Sequence, residues 1–326
     1  MRLVGRSLLA FAWLGAGVAC GATLAPEVAI IELPLAPEAL PGHDDPEFSS
    51  LAWYGDRLVL LPQFPERHDH RLPTIERRDV DAFVHGLRET LPVDYLAFDA
   101  GDLATYPGYE GFEALDFVDD EAYLTAEFGG TTVAGYVLRG AVNETGTLVF
   151  DPKSAQPLPH QSTVPNMGYE ALVAEPSRVI LFYELYDRHN SRREALVFSR
   201  QLEPLPAIPM AGLEYRITDA TTKPGSSDFW VSNYHWPGTP FTPASCTLTA
   251  RHGQGETHAR SAAVERIVAL NSRGPSIGPA PRPPLLLALG GTESRNWEGI
   301  AALPGYGFVV VTDKHPRTIL AVVHAP

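Results

Sequence analysis

Five times along the chain a short polar or acidic residue follows an apolar one, opens an apolar run, and is answered by a second polar residue further on. The copies run from Phe48-Ser49-Ser50-Leu51 to Gln63, from Phe112-Glu113-Ala114-Leu115 to Glu127, and from Tyr169-Glu170-Ala171-Leu172 to Glu184. The last two run from Ile217-Thr218-Asp219-Ala220 to Asn233 and from Trp297-Glu298-Gly299-Ile300 to Asp313. The offsets between the two polar positions are 14, 14, 14, 15 and 15. Between them each copy reads strand, turn, strand, as in Leu115 to Val118, Asp119 to Glu121, then Ala122 to Thr125. Each unit is a predicted β-hairpin, and antiparallel pairing sets its two polar positions at the same sheet edge. Hairpins recurring at irregular intervals predict an all-β fold, a five-bladed β-propeller whose first strands line a central channel.

The first polar positions then form a ring of Ser49, Glu113, Glu170, Thr218 and Glu298. Three carboxylates facing one axis repel one another unless protonated or neutralised by a cation. Calcium, with its flexible shell of six to eight oxygens, suits carboxylates, hydroxyls and water; zinc would want His or Cys, absent from these positions. The bland alternative is that these residues only satisfy hairpin edges.

The rest of the pattern extends the same fold. Val28 to Leu33 reads as a strand without a local partner, and Thr318 to Val323 offers one, so the N-terminal strand is expected to close the last blade. Outer strands are expected at Thr132 to Leu138, Leu148 to Phe150, Glu194 to Ser199, Ala244 to Ala250 and Val264 to Leu270. Helical spacing appears between Ile75 and Leu91, read as an insertion in the first blade. Abundant Pro and Gly, 30 and 28 residues of 326, fit many short strands and argue against a helical bundle.

The first 22 residues carry Arg2 and Arg6, an apolar stretch from Leu8 to Ala19 and small residues, an export signal too short to span a membrane. Gly17-Val18-Ala19-Cys20 resembles a bacterial lipobox, which would lipidate Cys20 and make this an envelope lipoprotein; cleavage after Ala22 would instead release a periplasmic or secreted protein. Residues 23–326 form one expected propeller domain. Cys246 is then the remaining cysteine, so no intramolecular disulfide is expected, and its alternating context reads as a buried strand thiol. A net charge of −14 disfavours nucleic acid and anionic lipid, leaving the lipid anchor as the membrane contact. It does not exclude a small anionic substrate, since a bound cation reverses the local potential.

The order Ser, Glu, Glu, Thr, Glu around five hairpins resembles the calcium-activated nucleotidase (apyrase) family, a five-bladed propeller with a central calcium. The segments Trp297-Glu298-Gly299-Ile300-Ala301 to Val311-Thr312-Asp313-Lys314, with Ile217-Thr218-Asp219-Ala220, are still more similar to the phytase-like esterase domain. The motifs together span roughly residues 45 to 315. The nucleotidases carry an acidic, arginine-containing segment after the first hairpin, where this chain has Leu61 to His68, so the resemblance implies fold and metal more than nucleotide hydrolysis.

The second polar positions, Gln63, Glu127, Glu184, Asn233 and Asp313, are expected to ring the mouth of the channel. Cationic or polar residues follow them closely: Arg67, His68 and His70; Arg188 and His189; His235; Lys314, His315 and Arg317. Such a mouth suits a phosphoric ester or anhydride. The candidate catalytic acids are Asp313, Glu127 and Glu184. Arg67, Lys314, Arg317, Asn233 and His235 are the candidate substrate-binding residues. The competing reading is a non-catalytic envelope propeller that binds a peptide or glycan around a structural calcium. Phosphate-loop and His-Glu-x-x-His motifs are absent.

Overall fold

A computed structural model of the chain describes residues 24–36, 46–130, 133–223, 226, 228–239, 246–272, 275–291 and 294–325. The export segment with Cys20 lies outside these residues, as do positions 244 and 245 of one expected strand. The architecture is all-β. Each of the five hairpins forms: Phe48–Tyr54 with Arg57–Pro62, Tyr109–Val118 with Glu121–Phe128, Ala171–Glu175 with Arg178–Phe182, Arg216–Thr222 with Asp228–His235, and Trp297–Leu303 with Gly307–Thr312.

Outer strands extend every hairpin into a sheet. Arg71–Glu76 and Asp94–Asp99 extend the first, Gly135–Val142 the second, Glu194–Phe198 and Pro204–Pro209 the third, and Val264–Asn271 the fourth. Leu320–His324 extends the fifth. Thr147–Phe150 pairs in parallel with Asp94–Asp99 and joins the first two sheets. The exposed edge strand Pro204–Pro209 carries three prolines, which remove the donors another chain would need to pair there. Chain closure is visible at the N-terminus: Ile30 pairs with Val323 and Glu32 with Ala321, while Glu27 and Val28 join the fourth sheet beside Leu286 and Leu287.

The first strands pack in cyclic order, each against the next and Trp297–Leu303 against Phe48–Tyr54. Apolar clusters fill the seams between successive sheets. Leu61 and Leu96 meet Phe112 and Leu124; Tyr123 and Val137 meet Val173 and Leu181, which continue to Val231 and Val268. Trp230 and Ile267 meet Phe308 and Val310, and Val309 and Val322 meet Leu51 and Leu60. The arrangement is propeller-like, with each sheet burying both faces against its neighbours.

Two expected elements differ. The helix is Arg77–Val84, shorter than 75–91, because Ile75 pairs with Leu58 in a strand and the chain turns at Gly86, whose φ is +70°. The strand expected around Cys246 is a helix, Thr247–His252. Cys246 is its half-buried N-cap rather than a strand thiol, its sulfur accepting from Thr249 N at 3.4 Å and from Arg266 Nη1 at 3.1 Å. No helix among the described residues is long and apolar enough to cross a membrane.

Candidate active site at the end of the central channel

The five hairpins share one local device. In the first, Phe48 pairs with Pro62 and Ser50 with Leu61, so Ser49 is an extra residue without a partner. The same single-residue bulge falls at Glu113, Thr218 and Glu298. In the third hairpin Glu184 N donates to Gly168 O while Ala171 pairs with Phe182, leaving one extra residue around Glu170. A bulge re-aims its side chain and bends the strand. It accounts for the repeated polar residue at this position and settles the first hairpin on Ser49. Ser50 instead accepts from Leu115 N at 3.2 Å and lies 3.3 Å from Asp219 Oδ1 in the layer below.

That lower layer laces the ring together. The buried Asp219 carboxylate accepts from Leu51 N at 3.3 Å and Ile300 N at 2.7 Å, and Asp116 accepts from Ala174 N at 2.8 Å. Burial pushes Asp219 well above the ordinary carboxylate range, and Asp116 up to about 7, against those backbone hydrogen bonds.

Above it opens a cavity of about 500 Å³ lined by Ser49, Glu113, Glu170 and Glu298 from the first ring and by Gln63, Glu127 and Asp313 from the second. Thr218 is not part of this lining: it is fully buried and donates to Trp297 O at 2.5 Å. Glu184 and Asn233 are likewise withdrawn. The Asn233 amide donates to Arg216 O at 2.9 Å and accepts from Arg266 Nε at 2.7 Å, which corrects its expected place at the mouth.

Arg216 is the residue that sequence reasoning missed. Its guanidinium donates to Glu184 Oε2 at 2.5 Å, to Glu170 Oε1 at 2.8 Å and to Tyr234 Oη at 3.2 Å, and Tyr234 in turn donates to Glu298 Oε1 at 2.8 Å. Part of the positive charge expected from a metal is therefore covalent to the chain. It stands two residues before the bulge position, where the other copies have Glu47, Gly111, Gly168 and Asn296. Glu47 and Asn296 also line the cavity, and the two glycines make room. A Cβ on Gly111 would lie 2.3 Å from the Gln63 side chain, and one on Gly168 2.9 Å from Glu127 Oε1. That third repeating position was the available signal.

Arg216 does not balance the wall. With Glu47 and Glu110, seven carboxylates line the cavity against the guanidiniums of Arg67 and Arg216. Burial and mutual repulsion push Glu113 and Glu170 well above the carboxylate range. Burial, with Glu184 and Glu110 nearby, raises Glu127 to about 8; burial, with Asp313 adding to it against Arg216, raises Glu298 to about 7. Glu170 Oε2 and Asn296 Oδ1 are buried and find no hydrogen-bond partner among the described residues. Unpartnered buried oxygens in an acid-lined cavity are the kind of donor a hard cation accepts. No three His, Cys, Asp or Glu side chains among the described residues gather closely enough to hold one alone, so hydroxyl, amide and water oxygens would complete its shell.

The anion-binding candidates divide. Arg67 lines the cavity, its guanidinium 3.7 Å from the Phe64 ring centroid. Lys314 is tied to Glu47 at 2.8 Å. Arg317 instead pairs with Glu32 at 2.6 Å, and His235 stacks on Tyr215 with centroids 5.3 Å apart, both away from the lining.

No family model matches the chain, and no curated protein matches it in sequence. Among solved structures it is similar to the soluble aldose sugar dehydrogenase of Escherichia coli, with 12% identity over 89% of this chain and 99% of that one, at a TM-score of 0.45. It is also similar to an exo-1,5-alpha-L-arabinanase from a bovine ruminal metagenomic library, with 10% identity over 88% and 94% of the two chains, at a TM-score of 0.46.

Proposed function

We propose that the chain is an exported five-bladed propeller, closed by its N-terminal strand, that binds calcium in the acid-lined cavity and hydrolyses phosphoric esters or anhydrides there. The observation that carries this reading is the unpartnered Glu170 Oε2 in a wall of seven carboxylates and two guanidiniums. Glu170, with Ser49, Glu113 and Glu298 around it, would hold the ion partly through bridging water. Bound there, calcium would offset the negative wall and polarise a phosphoryl oxygen.

The chain's own groups divide the remaining work. Arg67 offers its guanidinium to the phosphoryl oxygens at the rim. Asp313, held by His315 N at 2.7 Å and Asn296 Nδ2 at 3.3 Å, takes a proton from the attacking water as its oxygen bonds to phosphorus. Glu127 holds a proton at neutral pH and gives it to the leaving oxygen as the ester P–O bond breaks. Glu184 touches no substrate in this scheme and positions Arg216. Substituting Asp313→Asn should lower phosphate release from an ester panel in calcium buffer by about a hundredfold, with an unchanged melt. Unaltered turnover in that variant would refute the assignment.

One observation favours the second reading, a non-catalytic binding propeller: Arg216 already pairs with Glu170 and Glu184. Absence of turnover on every ester, with calcium bound, would select it.

A further inference from the structure

A second cavity, of about 330 Å³, is lined by Leu103, Tyr106, Pro107, Phe128, Tyr136 and Ala155 among others, none of its lining residues charged. The two share one stretch of backbone: Tyr106 and Pro107 line the apolar cavity, Tyr109 and Glu110 the acid one. Only Gly108 lies between Pro107 and Tyr109, whose Cα atoms are therefore at most about 7 Å apart.

A glycine pair holds the backbone between the two linings. Gly129 N donates to Gly108 O at 2.7 Å, and a Cβ on Gly108, whose φ is +89°, would lie 2.7 Å from Gly129 O. A Cβ on Gly129 would meet Glu110 Oε1 at 2.3 Å. Aromatic rings continue across it: Tyr109 lies 5.8 Å from Phe128, and Phe128 lies 5.3 Å from Tyr136, both edge to face. Tyr106 stays 49% exposed, an aromatic wall with an open side.

We infer that the apolar cavity receives the aryl arm of the substrate, so that the preferred ester joins a phosphoryl group to a flat aromatic alcohol. This rests on the hydrolase reading above. A phosphoryl group in the acid cavity and a ring in the apolar one require a molecule that spans the Gly108–Gly129 backbone pair beside the Tyr109 and Phe128 rings, and an aromatic ring matches walls that present ring edges and faces.

The test uses the whole calcium-loaded protein and Ala155→Phe, which fills the apolar cavity from its wall. With 2-naphthyl phosphate, KM should rise about tenfold, while inhibition by inorganic phosphate stays within twofold. A KM change below twofold, or a parallel loss of phosphate inhibition, would overturn the assignment. Should Ala155→Phe lower the melting temperature sharply, Tyr106→Ser at the exposed wall replaces it with the same expectation. If the wild type turns over no ester, the hydrolase reading fails by itself, and calorimetric binding of 2-naphthyl phosphate is compared instead. Weaker binding to Ala155→Phe then supports the aryl pocket, and equal or absent binding overturns it.

Discussion

Arg216 shows how a single side chain sets the character of the site. A buried guanidinium that bonds Glu170, Glu184 and Tyr234 leaves three groups stranded if it is removed. Arg216→Met should cost about 3 kcal/mol or more of stability, measured by urea melts, because uncompensated buried charge is more expensive than the ion pair is favourable. A loss under about 1 kcal/mol would mean the carboxylates are neutral without it. The acidic ring was legible in sequence because Glu113, Glu170 and Glu298 recur at matching positions. Arg216 was not, since its counterparts Glu47, Gly111, Gly168 and Asn296 share no chemistry, only a place in the register. Asn233 misled for the converse reason. It keeps the repeat spacing, yet its amide is consumed by the backbone of its own sheet.

The hairpin with its bulge is the repeating element, and spacing alone foretold the hairpins but not the bulges. A one-residue shift in pairing leaves the apolar pattern of Leu115 to Val118 unchanged, so only the ladder reveals it. Next to the fifth bulge, Gly299 sits where a Cβ would come within 2.6 Å of Val311 Cγ1 and 2.9 Å of Leu51 Cγ. Gly299→Ala should therefore open the seam between the last and first sheets and cost about 1 to 3 kcal/mol, read from the denaturant midpoint. A neutral result would show that the seam yields without cost. The helix at Cys246 was hidden for a different reason. The alternation of Cys246 to Ala250 mimics a strand, whereas the cap contacts from Glu214 to Thr247 N at 2.9 Å and from Thr249 N to sulfur are long-range or too local for periodicity to register.

At the scale of the molecule, the ring concentrates acids whose protons depend on folding. Glu127, Glu298 and Asp116 hold protons in the folded state up to about 8, 7 and 7, whereas an unfolded chain releases them near 4. Their folded pKa values are raised, so this stabilisation is complete below about pH 4 and is lost as pH rises through 7 to 8. In chelator the melting temperature should therefore climb as pH falls from 8 to 5. A melt that falls over that range would show these carboxyls to be ionised and paired in the fold. A cation bound there would replace the protons and flatten the dependence.

Cation binding in the acid-lined cavity is read by calorimetric titration of calcium into the chelator-treated protein at pH 7.5, with its melt recorded before and after. Binding should saturate, raise the melting temperature and be weakened by Glu170→Gln. No heat of binding and no shift in the melt would contradict it, and would leave Arg216 and retained protons as the whole of the charge balance.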